Sequence, residues 1–309
     1  MLNRGEIIFA EGLTAVGLSE HRRRTLMRNS TESVCVDFLG TVIEVMFDES
    51  RAARRYARRY ARFLTEAPAS RRAFAVRDVD STVFWFDAMG AYEWPAVLDD
   101  PVAIDFLADS VIRREFFNGT EHLFTFHAAA VATARGAVAI IAPSTGGKTT
   151  TAVACARRGM PLFTDEECIV CDEAVVPFPR AINLRADGIA RLLADPRFPD
   201  FGIQERLAAR RGRAWTCVSF DELFGAQGLP LPQRLVATYF LRTGGPPATI
   251  SPLPLGEAIP LVLAAWPRGK RRGVDRVAEV LRLLAAAPPF ALTLGSPDET
   301  ARVIKAAAG

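Results

Sequence analysis

The eight residues Ala142-Pro143-Ser144-Thr145-Gly146-Gly147-Lys148-Thr149 carry the clearest chemistry in the chain. Two glycines followed by Lys and Thr fit a phosphate-binding loop, with Ala142 where the first glycine of that pattern stands. In such a loop the backbone N–H groups of the turn and of the following helix converge on an anion. Ser144, Thr145, Gly146, Gly147, Lys148, Thr149 and Thr150 are then the nucleotide-binding residues. Lys148 would reach the β- and γ-phosphates, and the Thr149 hydroxyl would face Mg²⁺. Two more groups flank this segment: His127 before it, and the run Asp165-Glu166-Glu167 after it. Transfer of a γ-phosphoryl group needs a triphosphate cradle, Mg²⁺, and an acid that orients or deprotonates the acceptor hydroxyl. Asp165 and Glu166 are the candidates for the last two duties, with Thr149 and Asp165 as the metal residues. Which of the two is the base stays open. His127 is a candidate partner for one of them. Arg180 has the guanidinium fork that suits a phosphate or, equally, a surface acid.

These side chains need elements to position them. Residues 137–141 are apolar and partly β-branched, as in a buried strand, and 150–158 read as a helix that stops at Gly159. Strand, glycine turn and helix is the context that the pattern requires. The apolar run 161–164 ends in the acids and is expected as the strand beside the loop strand, with neighbouring acids pointing to opposite faces. Residues 168–171 and 175–178 flank a turn at Asp172-Glu173, 181–184 form another strand, and a helix runs to about 193. Strand after strand over 167–184 argues for a mixed sheet rather than strict alternation with helices. The segment 195–231, rich in Pro, Gly and Arg, reads as an excursion over the surface. Residues 235–241 return as a strand, 246–254 read as a loop, 256–265 and 274–287 as helices, and 290–294 as a last strand. Ser296-Pro297-Asp298-Glu299 then caps a final helix. Upstream, 34–38 and 42–47 make a hairpin, 49–64 a helix, 74–78 and 82–87 a strand pair, and 101–117 a helix with proline at its first position. The expected division is a smaller α+β domain over 1–118 and an α/β domain over 119–309.

The chain has 309 residues, half of them hydrophobic, and a formal net charge of +3. That is enough for a large core and too little charge to imply nucleic acid. No apolar run reaches the length of a membrane span, and no signal-peptide pattern opens the sequence, so a cytoplasmic protein is expected. Five cysteines give no disulfide framework. Cys168 and Cys171 lie three apart on a strand, hence on opposite faces, and read as core thiols. Residues 51–62 hold a dense arginine cluster on a helix in which Tyr56, Tyr60 and Phe63 share one face. The arginines make either a solvated face or a dock for an acidic peptide or phosphate, with Arg54, Arg55, Arg58 and Arg59 as the docking set. Residues 21–24 and 268–272 are further basic clusters.

His127, Gly147-Lys148-Thr149 and Asp165-Glu166 stand in the order and spacing of the HPr kinase/phosphorylase family, which this region resembles over about residues 119–185. The resemblance implies a mixed-sheet P-loop kinase domain of the HPr kinase/carboxykinase type, with His127, Lys148, Asp165, Glu166 and Arg180 catalytic. Ala142 replaces a glycine, Glu166 replaces a second Asp, and Phe178-Pro179-Arg180 stands near where the family has Glu-Ile-Arg-Gly. The reverse, phosphorolytic activity is left open. The sequence is similar above all to the HPr kinase-like peptide-tailoring kinases of lasso-peptide clusters. That likeness implies ATP and Mg²⁺ as cofactors, a serine or threonine hydroxyl of a precursor peptide as acceptor, and peptide-maturation proteins as partners. Neither nucleic acid nor membrane is expected as a partner; a further copy of the chain is left open. The rival expectations are a kinase for a small-molecule hydroxyl and a non-catalytic nucleotide-binding partner in a peptide-maturation complex.

Overall fold

The computed structural model describes residues 14–15, 24, 28, 32–69, 71–77, 83–87, 90–94, 123–197, 202–208, 215–225, 230–265 and 274–308. The chain divides into two compact units, Met1–Glu121 and His122–Gly309. In the first, β1 (Thr14–Ala15), β2 (Glu32–Phe38), β3 (Thr41–Phe47), β4 (Arg71–Arg77), β5 (Val83–Asp87) and β6 (Gly90–Trp94) form a sheet in the order β1-β6-β5-β4-β3-β2. β2 and β3 are an antiparallel hairpin that turns at Leu39 and Gly40, whose φ angles of 52° and 86° suit a tight, twist-matched turn. β3 and β4 are parallel, so the chain must cross over between them, and helix α1 (Ser50–Arg59) lies in that crossover. Its aromatic face explains the packing. Ring centres of Tyr56 and Phe47 lie 5.2 Å apart, and those of Tyr60 and Phe38 5.5 Å apart. The helix is shorter than the expected 49–64: it ends at Arg59, and a 3-10 turn, Ala61–Phe63, keeps the Phe63 ring 4.8 Å from Phe38.

The second unit is an α/β structure on a mixed sheet. Its strands are β7 (Phe124–His127), β8 (Ala129–Thr133), β9 (Gly136–Ile141), β10 (Leu162–Thr164), β11 (Glu167–Cys171), β12 (Ala174–Val176), β15 (Gln233–Arg242), β16 (Thr249–Pro252) and β17 (Pro289–Thr293). β9 lies between antiparallel β8 and parallel β15; β17 is parallel to β15 on its other side. β10 pairs antiparallel with the far side of β8. From the start of β15 the sheet continues antiparallel through β12, β11 and β7. β9, β10, β15 and β17 therefore point the same way, and their C-terminal ends open on one edge.

Helices cover both faces. They are α2 (Lys148–Arg157), α3 (Ala186–Ala194), α4 (Ile203–Ala208), α5 (Phe220–Phe224), α6 (Leu255–Ala265), α7 (Val274–Ala286) and α8 (Pro297–Ala307). The period of two in β9 feeds both cores. Val138 and Ile140 pack with Val153, Ile189, Leu192 and Ile304 of α2, α3 and α8. Ala137, Ala139 and Ile141 pack with Val262, Val280 and Leu284 of α6 and α7.

Three expectations change. Residues 195–231 are not a bare surface excursion: α4, α5 and β14 (Trp215–Val218) form there, and β14 pairs with β13 (Ile182–Arg185). Ile203, Leu207, Val218, Phe220 and Leu223 enter the core, which outweighs the polar composition around them. Residues 246–254 contain β16, because the edge of β17 offers it a ladder. And β10 is not beside the loop strand, since β8 lies between them. The expected helix 101–117 and the basic residues 21–23 and 268–272 lie outside the described residues.

Candidate functional site

Strand β9 is buried between two neighbours, so its chain leaves the sheet only at Ala142. There it makes a turn closed by a bond from the Gly146 N–H to the Pro143 carbonyl, 3.0 Å. A Cβ at Gly146 would lie 2.8 Å from the Ala142 Cβ and 2.9 Å from the Pro143 oxygen, so this turn admits only glycine. Gly147, at φ 94°, is the N-cap of α2 and sits against Leu294 and Leu241, at the ends of β17 and β15. Thr145 is exposed and also has a left-handed φ, 66°. The outcome is a compact turn that ends at the start of a helix, where N–H groups and the helix dipole favour an anion.

Lys148 is only 7% exposed and folds back on the turn, its Nζ donating to the carbonyls of Ala142 at 2.6 Å and Pro143 at 3.2 Å. Thr149 Oγ1 lies 3.5 Å from Asp165 Oδ2, a long contact between two hard oxygen donors. Asp165 is 3% exposed. Thr150 faces Gly188, where a Cβ would come within 3.1 Å of its Oγ1, so the small residue lets α3 approach the start of α2.

The acids stand where a long antiparallel pairing opens. Ala130 pairs with Thr164, and His127 pairs with Glu167. Between these two ladders the chain bends at Asp165 and Glu166. The Thr164 hydroxyl holds the bend by accepting from the N–H groups of Glu166 at 3.3 Å and Glu167 at 3.1 Å. The two acids thus belong to a bend rather than a strand, and they reach different partners. Asp165 goes to Thr149, and Glu166 forms an ion pair with Arg180. The Arg180 side chain is fully buried. Its segment is tied to β10 by the Phe178 N–H, which donates to the Phe163 carbonyl at 2.8 Å. A guanidinium buried on a carboxylate fixes that carboxylate's direction.

His127 ends β7 and stands in register opposite Glu167, which is buried; cross-strand partners share a face. The histidine's cross-strand acid is therefore the third of the run. Glu167 was visible as an acid but carried no local mark of this pairing; Gly188, Leu241 and Leu294 carried none either. The Cys168 thiol, beside Glu167, is pushed up by burial and then by that charge, so it stays a protonated core thiol. Cys171 is half-buried, and both thiols are free.

Among the described residues no cluster of three or more His, Cys, Asp or Glu side chains forms a cation cage. Mg²⁺ does not ask for one, because it binds through one or two carboxylates together with phosphate oxygens and water. Thr149 and Asp165 are the pair that fits it. Among the described residues no helix is long and apolar enough to cross a membrane. No family model matches the chain, and no curated protein matches it significantly.

Proposed function

We propose that the second unit is a P-loop kinase of the HPr kinase/carboxykinase type, which transfers the γ-phosphoryl group of ATP to a serine or threonine hydroxyl of a peptide. One observation carries the reading: a turn that only glycine can form delivers Lys148 and Thr149 to a helix N-terminus, with Asp165 3.5 Å from the Thr149 hydroxyl. The parallel direction of β9 and β10 supports it, since ligands of such sheets gather at the C-terminal ends of the strands. In this reading the N–H groups of residues 144–150 cradle the phosphates, and Lys148 exchanges its two carbonyl partners for phosphate oxygens. Thr149 and Asp165 hold the cation. Mg²⁺, when bound, supplies neutralisation of charge on the β- and γ-phosphates. Glu166, directed by Arg180, serves the acceptor hydroxyl, and His127 with Glu167 braces the acidic bend from the neighbouring strand. The peptide acceptor rests on the resemblance to the lasso-cluster kinases, while the nucleotide site rests on the geometry.

The test is incubation with γ-labelled ATP, Mg²⁺ and a library of Ser- and Thr-containing peptides, read by mass. A gain of one phosphoryl group on peptide is expected. Lys148→Ala, with an unchanged circular dichroism spectrum, should lower turnover by about a hundredfold or more, as for loss of one positioned electrostatic group. Near-normal turnover by that folded variant would overturn the reading. Binding of ATP without transfer to any peptide or small hydroxyl compound would leave a nucleotide-binding protein instead.

A further inference from the structure

The outer face of α1 poses a separate problem. Residues 51–59 contain five arginines and no acid. Burial sorts them. Ala52, Ala53, Tyr56 and Arg59 are buried, and Arg59 is only 4% exposed. Arg59 therefore leaves the docking set expected from the sequence, and Arg55 is half-buried. Arg51, Arg54 and Arg58 remain exposed, at i, i+3 and i+7, so they line one face over about 10 Å. Among the described residues these three make no ion pair. The helix cannot roll to disperse them, because the Tyr56 and Tyr60 rings, 5.0 Å apart, are buried against Phe47 and Phe38.

Residues 1–121 contain sixteen arginines and no lysine against nineteen acidic residues. The formal charge of these residues is thus negative, while α1 alone concentrates five of the arginines. Like charges held a turn apart on a helix are unfavourable, so an anionic partner would relieve them.

We propose that the Arg51–Arg54–Arg58 face of α1 is a docking surface for an acidic peptide segment. Carboxylates on alternate residues of an extended peptide lie about 7 Å apart. The three positions on α1 are spaced by about 4.5 and 6 Å along the helix axis, and long arginine side chains can span the difference to such carboxylates. Arginine presents a planar fork that takes a carboxylate through two parallel bonds. Nucleic acid fits less well. Its affinity comes from many phosphates on a broadly positive surface, and single strands also need exposed rings to stack on. Here the exposed arginines of α1 are three, and the Tyr56 and Tyr60 rings are buried. The inference does not depend on phosphoryl transfer, and its test contains no nucleotide.

The test measures fluorescence anisotropy of a labelled peptide of alternating Glu and Ser on the full-length protein. The same peptide with Gln for Glu, and a single-stranded oligonucleotide of equal charge, serve as comparisons. The Glu peptide should bind at low salt and the Gln peptide should not. The triple variant Arg51→Gln, Arg54→Gln, Arg58→Gln should weaken binding by about tenfold, the sum of three modest exposed charge pairs, with the gap closing as salt rises. Removing three exposed arginines of the other unit, Arg185, Arg191 and Arg282, should change it less than about twofold. Arg54→Glu alone should act in the same direction with a single change. Equal binding by wild type and triple variant overturns the proposal, and so does equal weakening by the control triple. Tighter binding of the oligonucleotide, lost through the same three arginines, would make the stripe a nucleic-acid surface and equally overturn it.

Discussion

Thr145 is the residue with the least obvious reason for its conformation. A β-branched side chain at φ 66° sits in a region that costs an L-residue about 1–2 kcal/mol. Its side chain is exposed, so packing does not repay that cost. Strain of this kind collects at sites that bind. Thr145→Gly removes the clash but gives the unfolded chain more freedom, worth about 0.5–1 kcal/mol. The expected result is a net gain of about 0.5–1 kcal/mol and a melting temperature higher by about 1–4 °C for a unit of this size. A lower melting temperature would show that the hydroxyl or methyl of Thr145 holds the turn. At this scale the sequence was informative where chemistry is local. The Gly146-Gly147-Lys148-Thr149 spacing carries its own turn, and the steric demand at Gly146 is the reason for it. The partners of the acids were not legible. That His127 stands opposite Glu167 follows from the register of β11 on β7, between strands forty residues apart.

Elements hold these residues in place, and α2 matters most because its first turn carries Lys148, Thr149 and Thr150. Its far end is held by α8. The Arg158 Nε donates to Asp298 Oδ1 at 2.6 Å, and the Lys305 Nζ donates to the Arg158 carbonyl at 2.8 Å. Asp298 is 1% exposed, also faces Arg302, and sits in the first turn of α8, where a negative charge suits the helix dipole. Asp298→Ala removes a charge-assisted bond and strands a partly exposed arginine, so the expected loss is about 1–3 kcal/mol. A urea midpoint measures it directly. An unchanged midpoint would mean that α8 is held by Ala301 and Ile304 alone. β9 and α2 were legible because a strand buried on both faces reads as an apolar run and its helix ends at a left-handed glycine, Gly159 at φ 78°. Residues 195–231 were not, because arginines and glycines dilute five core side chains. One local signal was present there: Ser219 and Glu222 make a reciprocal capping box at the start of α5. The place of β8 between β9 and β10 could not be seen at all, since strand order is a property of the whole sheet.

For the whole molecule, the two proposed sites lie in different units and separate experimentally. A ligand stabilises only the state that binds it, by RT ln(1 + [L]/Kd), about 2.7 kcal/mol at a hundred times Kd. Amides that exchange through opening of the binding unit should then slow by about a hundredfold, while those of a unit that does not bind stay as they were. With ATP and Mg²⁺ the expected protection covers β9, α2 and the bend after β10, residues 136–167, and leaves 32–69 unchanged. With the acidic peptide the pattern should reverse: β2, β3 and α1 slow, and 136–167 do not. Hydrogen exchange read by mass over peptic fragments makes both comparisons in one protein, with no variant needed. The two outcomes fail independently. Protection of 136–167 by nucleotide with none of 32–69 by acidic peptide would keep the kinase reading and remove the docking face. The reverse would keep the docking face and reduce the glycine turn to a structural one. Slowing of both units by either ligand would show that the chain opens as one body, and the division at Glu121 and His122 would then mark a boundary of contacts rather than of stability.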